Sequence, residues 1–226
     1  MPENRIYNNL LALPLFLGMS RKDLQQAAGQ TRFDFRKIAQ GETIVTEGEP
    51  CTHLYFLLDG DIMVKTYSTD RSYCIEEEIH APETFQSERI FGLHPQFTHT
   101  YIAQQDCSLL CLGKQDVMKL ATRFDIFRIN LLNLVSTQSQ KHNIRTRQSP
   151  PKTLEERIVR FIESNCVSHY GEKTIHIKMT RIAEEVNDSR LDVSKALNHL
   201  QNQGLIQLFR ERIYIPALEK LTNDKQ

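Results

Sequence analysis

The sequence predicts an α+β protein that begins with an antiparallel β-roll and ends in a small domain of helices and a β-hairpin. Two observations support this fold class. Between residues 38 and 112, short β-branched or aromatic runs alternate with glycines, a pattern typical of antiparallel strands joined by tight turns. After Gly113 the apolar residues recur at helical spacing instead.

Six apolar runs predict the strands of the roll. Gly41, Gly48 and Gly60 lie at the ends of these runs, where a tight turn needs the positive φ angle that glycine adopts at little cost. We therefore expect hairpins at these glycines. The runs are residues 43–45, 54–58, 62–67, 73–75, 100–103 and 109–112.

Composition excludes several classes of protein. The chain has 226 residues with 28 basic and 28 acidic side chains, which argues against a uniformly basic nucleic-acid coat. No apolar run approaches the roughly 20 residues of a membrane span. The five cysteines are spread along the chain without a C-x-x-C pair, so neither a disulfide framework nor a structural zinc site is expected. We expect a cytoplasmic protein without a membrane partner.

An apolar stripe predicts a long helix after the roll, because a 3,4,3 spacing places its four residues on one helix face. Two interpretations are open. The stripe forms the seam of a dimer or, equally for its first two turns, packs on its own roll. The polar turns from Ser136 to His142 favour a helix that projects outward. The segment that follows is read as a linker, because Pro150-Pro151 stops any helix. The stripe consists of Phe124, Phe127, Leu131 and Leu134.

The C-terminal segment predicts a winged helix-turn-helix. Thr153 followed by Glu156 is a capping-box start for a first helix. Two further helices at a tight turn, followed by a hairpin with a basic tip, complete the expected order of elements. These elements are a strand at 175–177, helices at 180–186 and 189–203, and a hairpin of 205–208 with 213–215.

The second helix of that pair carries the chemistry. Asn187 stands where the turn needs a left-handed residue, and Ser189 caps the helix. In a helix-turn-helix this helix enters the major groove, where Arg and Lys donate to guanine and Asn donates to adenine. The alternative is a helical pair whose polar face is merely solvated. The candidate DNA contacts are Ser189, Arg190, Asp192, Ser194, Lys195, Asn198, Arg210 and Arg212.

Further motifs are spread over nearly the whole chain: Leu13-Pro14-Leu15-Phe16, Gly41-Glu42, Glu47-Gly48-Glu49, Tyr55-Phe56-Leu57-Leu58-Asp59-Gly60, Asp106-Cys107-Ser108-Leu109-Leu110 and Gly204-Leu205-Ile206. With these motifs the chain resembles the cyclic AMP receptor protein and FNR (CRP/FNR) family of bacterial transcription regulators. Arg190 and Lys195 match the family's two basic DNA contacts, whereas Leu191 stands where many members carry an acidic residue that reads a base.

The resemblance implies an architecture and a set of partners. We expect a cyclic-nucleotide-binding-like jelly roll at residues 1–113, a dimerisation helix and linker at 114–148, and a winged helix-turn-helix at 149–226. The expected partners are a second copy of the chain, double-stranded promoter DNA and, if the protein is an activator, RNA polymerase. The alternative function is a cyclic-nucleotide-responsive signalling module whose C-terminal domain contacts protein rather than DNA.

The sensor departs from the family pattern. Members that bind a cyclic nucleotide carry a Gly-Glu pair that holds the ribose and an Arg that pairs with the phosphate. Here Ser87 replaces the Gly, Glu88 matches the Glu and Phe97 stands in place of the Arg, so the sensor is not expected to bind cyclic AMP in the usual way. Arg89 is a neighbouring cation that could substitute. The candidate effector pocket comprises Ser87, Glu88, Arg89, Thr98, Ser136 and Thr137.

Other effectors and catalysis find little support. The first cysteine is Cys51, so the N-terminal cysteine group of iron-sulfur members is absent from the sequence. His80 and His99 are the candidate haem ligands but are expected to be ordinary loop histidines. The sequence shows neither a nucleophile paired with a base nor a loop that would cradle a phosphate, so we expect no enzymatic activity. We also expect no cofactor, while cyclic AMP or another small molecule is left as a possible effector.

Overall fold

The computed structural model describes residues 10–11, 13–146 and 150–223. The chain forms two compact units that do not follow chain order. Of the described residues, unit 1 holds those within Met1–Ile62, His80–Thr98 and Ile102–Arg147, and unit 2 those within Met63–Ile79, His99–Tyr101 and Gln148–Gln226. Unit 2 therefore combines a hairpin from the first half of the chain with the C-terminal segment.

Eleven strands are present in the part of the chain that the structure describes. They are β1 (Asp34–Ile38), β2 (Thr43–Val45), β3 (His53–Asp59), β4 (Asp61–Tyr67), β5 (Cys74–His80), β6 (Glu83–Phe85), β7 (Thr100–Ala103), β8 (Cys107–Gly113), β9 (Lys173–His176), β10 (Gln207–Phe209) and β11 (Arg212–Ile215). Each of the six predicted runs overlaps one of these strands, whereas β1 and β6 were not predicted.

The helices flank these strands. They are α1 (Arg21–Gln30), α2 (Lys114–Arg123), α3 (Asp125–Thr146), α4 (Leu154–Asn165), α5 (Met179–Val186), α6 (Arg190–Asn202) and α7 (Leu218–Asn223), with single 3₁₀ turns at Pro14–Phe16 and Ser87–Arg89. None of the described helices has the length and apolarity needed to cross a membrane.

Unit 1 contains a four-stranded antiparallel sheet with the order β1-β8-β3-β6. Gly60 directly follows β3 and has a φ of +99°. A Cβ atom at this position would lie 2.7 Å from the Sγ atom of Cys107, so both the turn and the space exclude a side chain. Gly41 and Gly48 also have positive φ angles, which confirms the three predicted turn glycines.

The apolar stripe after the roll is interrupted. The long helix predicted from the stripe is α3, which begins at Asp125. Phe124 has an extended backbone and separates α2 from α3, so only the continuity of the helix through Phe124 is wrong. Phe124, Phe127 and Leu131 are buried in unit 1, where the Phe127 ring packs edge-on against Phe16 with centroids 5.3 Å apart. These residues therefore pack on their own roll, which is the second of the two interpretations. Leu134 is half-buried.

Unit 2 contains antiparallel strands in the order β10-β11-β9-β5. Ile75 of β5 lies opposite Ile175 of β9, and both are fully buried. Their side chains belong to the same apolar core as the buried faces of α4, α5 and α6. The hairpin between Met63 and Ile79 is thus a structural part of the C-terminal unit, although the sequence assigned it to the roll alone.

A buried ion pair joins β5 to β9. The Nζ atom of Lys173 lies 3.2 Å from the carboxylate of Glu77, and neither side chain is exposed to solvent. The Glu77 carboxylate also accepts hydrogen bonds from the backbone N–H groups of Val167 and Ser168, and Lys173 donates to the carbonyl of Tyr170. These backbone partners add hydrogen bonds to both charges, which compensates part of the cost of burying them.

We expect the substitution Lys173→Met to lower the free energy of unfolding by about 3 kcal/mol, because it leaves the Glu77 carboxylate buried without a countercharge. The matched control is Lys65→Met. Lys65 pairs with Glu76 at 2.7 Å in the same hairpin, but both side chains are partly exposed, so its loss is expected to cost less than about 1 kcal/mol. Urea denaturation of the full chain measures both values, and equal losses would contradict the argument.

Candidate nucleic-acid interface

The turn between α5 and α6 is fixed by local chemistry. Asn187 ends α5 with a φ of +52°, and its N–H group bonds to carbonyls of the last helical turn, which confirms the predicted left-handed position. Arg157 of α4 donates to the carbonyl of Val186 at 3.0 Å and forms an ion pair with Asp188. The guanidinium thus bonds to the end of α5 and to the residue after the turn. These contacts from α4 stabilise the angle between α5 and α6.

The start of α6 is stabilised by its first residues. The Ser189 hydroxyl accepts from the Asp192 N–H at 3.1 Å and donates to the Asp192 carboxylate at 2.7 Å. The hydroxyl bond to the carboxylate, followed by the bond from Lys195 at 3.0 Å, holds the pKa of Asp192 below its usual range. Ser189 and Asp192 therefore cap the helix. The Lys195–Asp192 pair is exposed, so it costs little for Lys195 to leave it.

The outward face of α6 carries the other candidate contacts. Arg190, Lys195 and Asn198 are exposed, and Ser194 is half-buried. Within the described residues, the Arg190 guanidinium makes no hydrogen bond or ion pair. The Asn198 amide donates to the carbonyl of Ser194 at 2.7 Å, one helical turn back. The structure thus brings four polar side chains of the predicted set onto one side of one helix.

The hairpin of β10 and β11 forms the wing beside these helices. Arg210 and Arg212 are exposed at its tip, where Glu211 has a φ of +55°. The Arg212 guanidinium lies over the Phe209 ring, 4.4 Å from its centroid. Stacking of this kind holds a guanidinium in place while its N–H groups stay available to an anion.

The candidate sensor pocket is only partly assembled. Ser87 is buried and its hydroxyl has no hydrogen-bond partner among the described residues. The Arg89 guanidinium lies 3.8 Å from the Glu88 carboxylate, and Thr98 is tied to Gln86 by two hydrogen bonds. Those four predicted residues belong to one loop region. Ser136 and Thr137 are exposed on α3, and no hydrogen bond joins them to that region within the described residues.

An aromatic cluster surrounds Phe97, the residue at the position of the family's phosphate-binding arginine. Phe97 is buried and packs edge-on against Tyr55 at 5.9 Å between ring centroids. Tyr55 in turn stacks on Phe85 at 5.4 Å. The position of Phe97 is therefore apolar and filled by the protein itself.

Comparison with protein families agrees with this arrangement. Residues 35–124 match the model of a cyclic nucleotide-binding domain, and residues 156–223 match that of a Crp-like helix-turn-helix domain. The two matches together cover more than half of the chain. The chain belongs to the CRP/FNR family of transcription regulators. It is a DNA-binding regulator, and its family is not one of enzymes.

Solved structures of CRP/FNR proteins share the fold at low identity. The sensor domain of the regulator DNR from Pseudomonas aeruginosa matches with a TM-score of 0.52 and 19% identity, covering 68% of this chain and 100% of that one. The c-di-GMP responsive regulator CLP from Xanthomonas campestris matches with a TM-score of 0.50 and 14% identity, covering 87% and 99%. No curated protein matches the chain by sequence.

The histidines considered as haem ligands in this CRP/FNR chain have other partners. The Nδ1 atom of His80 lies 2.6 Å from the Asp61 carboxylate, and that of His99 lies 3.0 Å from the Thr66 hydroxyl. Each of these bonds engages the Nδ1 atom of its histidine ring.

Four of the five cysteines are poorly suited to redox sensing. Burial raises the pKa of the Cys51, Cys74 and Cys111 thiols to about 11. Burial also raises the pKa of Cys107. Since the thiolate is the reactive form, these groups are almost entirely protonated at neutral pH.

We expect Cys51, Cys74 and Cys111 to react with iodoacetamide at pH 7.5 about a hundredfold more slowly in the native chain than in urea, because a pKa two units higher lowers the thiolate fraction by that factor. Peptide mapping by mass spectrometry measures each site. Rapid labelling of any of the three thiols in the native protein would contradict their burial.

Proposed function

We propose that this regulator binds two-fold-symmetric promoter DNA as a homodimer and is competent without cyclic AMP. The observation that carries the DNA part is the outward face of α6, where Arg190, Ser194, Lys195 and Asn198 stand together on the second helix of a helix-turn-helix. These are the residue types that bond to base edges and phosphates in the major groove.

Each contact has a specific part in this proposal. Arg190 has no competing partner among the described residues, so its guanidinium is available for a bidentate contact to guanine. Lys195 exchanges an exposed carboxylate for a phosphate or base. Arg210 and Arg212 reach the backbone of the adjacent minor groove from the wing. Few cations take part, so the affinity falls only moderately as salt is added.

Dimerisation is assigned to the exposed side of α3 rather than to the buried stripe. Ile126, Ile129 and Leu132 are 43%, 55% and 61% exposed. They recur every three residues along one side of the helix, and their burial against a second copy would remove apolar surface from water. A two-fold-symmetric dimer carries two α6 helices, and we propose that they read successive major grooves, roughly 34 Å apart.

We do not expect the sensor to bind cyclic AMP in the way that other family members do. The position of the phosphate-binding arginine is occupied by the ring of Phe97, and the guanidinium of Arg89 lies beside the Glu88 carboxylate. A cyclic phosphate would be desolvated there without a countercharge, which costs several kcal/mol. Any other effector acts only if it binds the two states of the dimer with different affinity.

Selection of duplexes from a random DNA library by the purified full chain, without a small molecule, is expected to enrich an inverted repeat. On that repeat, Arg190→Ala and Lys195→Ala are each expected to lower the affinity fivefold or more, since such contacts contribute about 1–3 kcal/mol. Lys220→Ala removes an exposed charge of α7 and is the matched control, with little change expected. Added cyclic AMP is expected to leave the enrichment unchanged.

The outcomes of the DNA selection separate the alternatives. Absence of enrichment with and without cyclic AMP would contradict the proposal and favour a C-terminal domain that contacts protein. Enrichment that requires cyclic AMP would contradict only the assignment of the sensor. Equal losses in all three variants would mean that α6 does not read the DNA.

The double substitution Ile129→Asp with Leu132→Asp is expected to convert the dimer to monomer, because two carboxylates would be buried in the proposed apolar interface. Leu93→Asp is the control, since Leu93 is an apolar side chain of unit 1 that is 94% exposed and lies away from α3 in the sequence. Sedimentation velocity measures the mass of each variant. A dimer that survives the double substitution would place the interface elsewhere.

A further inference from the structure

Leu191 is the one large apolar side chain exposed on α6 within the described residues. It is the second residue of the helix and is 66% exposed. Ser194, Lys195 and Asn198 follow it by three, four and seven positions, so all four side chains share one side of the helix. Leu191 therefore lies within the polar stripe that the proposed function turns toward DNA.

The fold does not use this side chain. The buried side of α6 is formed by Val193, Ala196, Leu197 and Leu200, which belong to the core of unit 2. Leu191 lies on the other side of the helix. The residues one helical turn further on, Ser194 and Lys195, are polar and do not belong to that core. A single exposed leucine is common on protein surfaces and needs no explanation by itself. Its position among the groove-facing polar residues is what gives it meaning here.

Base chemistry limits what Leu191 can contact favourably. In the major groove, thymine alone presents an apolar group, its C5-methyl, whereas the other bases present hydrogen-bond donors and acceptors. Those polar groups would lose water against leucine without gaining a partner. The carboxylate of the adjacent acidic residue, Asp192, is already engaged by the Ser189 hydroxyl and the Lys195 ammonium.

We propose that Leu191 reads the methyl group of a thymine in each half-site of the operator. This proposal rests on the proposed function, because it requires α6 to lie in the major groove. It names the base at one position of the half-site. Arg190, the preceding residue, then contacts the neighbouring base step, with guanine as the base that suits it.

The test removes only the methyl group. In the operator obtained by selection, deoxyuridine replaces each thymidine in turn, symmetrically in both half-sites. At one position the affinity of the native chain is expected to fall about fourfold for each half-site, which corresponds to about 0.8 kcal/mol for a buried group of that size. In the variant Leu191→Ala, the difference between thymine and uracil at that position is expected to vanish.

Two further comparisons support the assignment of that difference to Leu191. Ser194→Ala is the matched variant on the same side of α6 and is expected to keep the preference for thymine over uracil. At the same position, 5-methylcytosine is expected to bind better than cytosine, because it restores the methyl group. Leu191 is exposed, so its replacement by alanine leaves the core intact, and thermal denaturation checks this.

The results distinguish this proposal from the proposed function. If no duplex is selected at all, the proposed function fails. If an operator is selected but no thymine-to-uracil exchange weakens binding, or if Leu191→Ala keeps the full difference, the assignment of Leu191 is overturned while DNA binding stands. A methyl effect that Leu191→Ala abolishes and Ser194→Ala retains supports the proposal.

Discussion

The ion pair between Glu77 and Lys173 is the interaction on which unit 2 depends. Two opposite charges withdrawn from water are tolerable only when each has the other and further hydrogen bonds, and here three backbone groups supply such bonds. The pair fixes β5 against β9. The apolar residues of that sheet belong to the same core as the buried faces of α5 and α6, so the placement of α6 depends in part on this charge pair.

Elements set by neighbouring residues could be predicted from the sequence, and those set by distant residues could not. The turn at Gly60, the left-handed Asn187 and the cap at Ser189 depend on residues within a few positions of themselves. The partnership of β5 with β9 joins residues about one hundred positions apart, and Glu77 within a run of three glutamates looks like part of a solvated strand. The apolar spacing passes through Phe124 unchanged, so it hid the break between two helices.

The sequence predicted which residues belong to the candidate site, but not which of them cap the helix and which stay available for contacts. Helical periodicity placed Arg190, Lys195 and Asn198 on one face, as the structure has them. Only the geometry of the hydrogen bonds separates Asp192, which caps the helix, from the side chains that remain available. The resemblance placed Leu191 where many CRP/FNR members carry an acidic residue that reads a base, but it did not predict a contact for a leucine at that position. The structure adds that this side chain is exposed on the same side of α6 as Lys195 and Asn198.

The pairing of β5 with β9 in unit 2 affects how the gene for such a regulator can recombine. Regulators built from a sensor and a reader can gain new targets when recombination joins the reader of one protein to the sensor of another. In this chain a crossover in the linker before residue 150 would leave Lys173 behind without Glu77, and would bare one edge of the reader's sheet. We therefore expect the hairpin of β4 and β5 to be inherited together with α6, and substitutions in one to be accompanied by substitutions in the other.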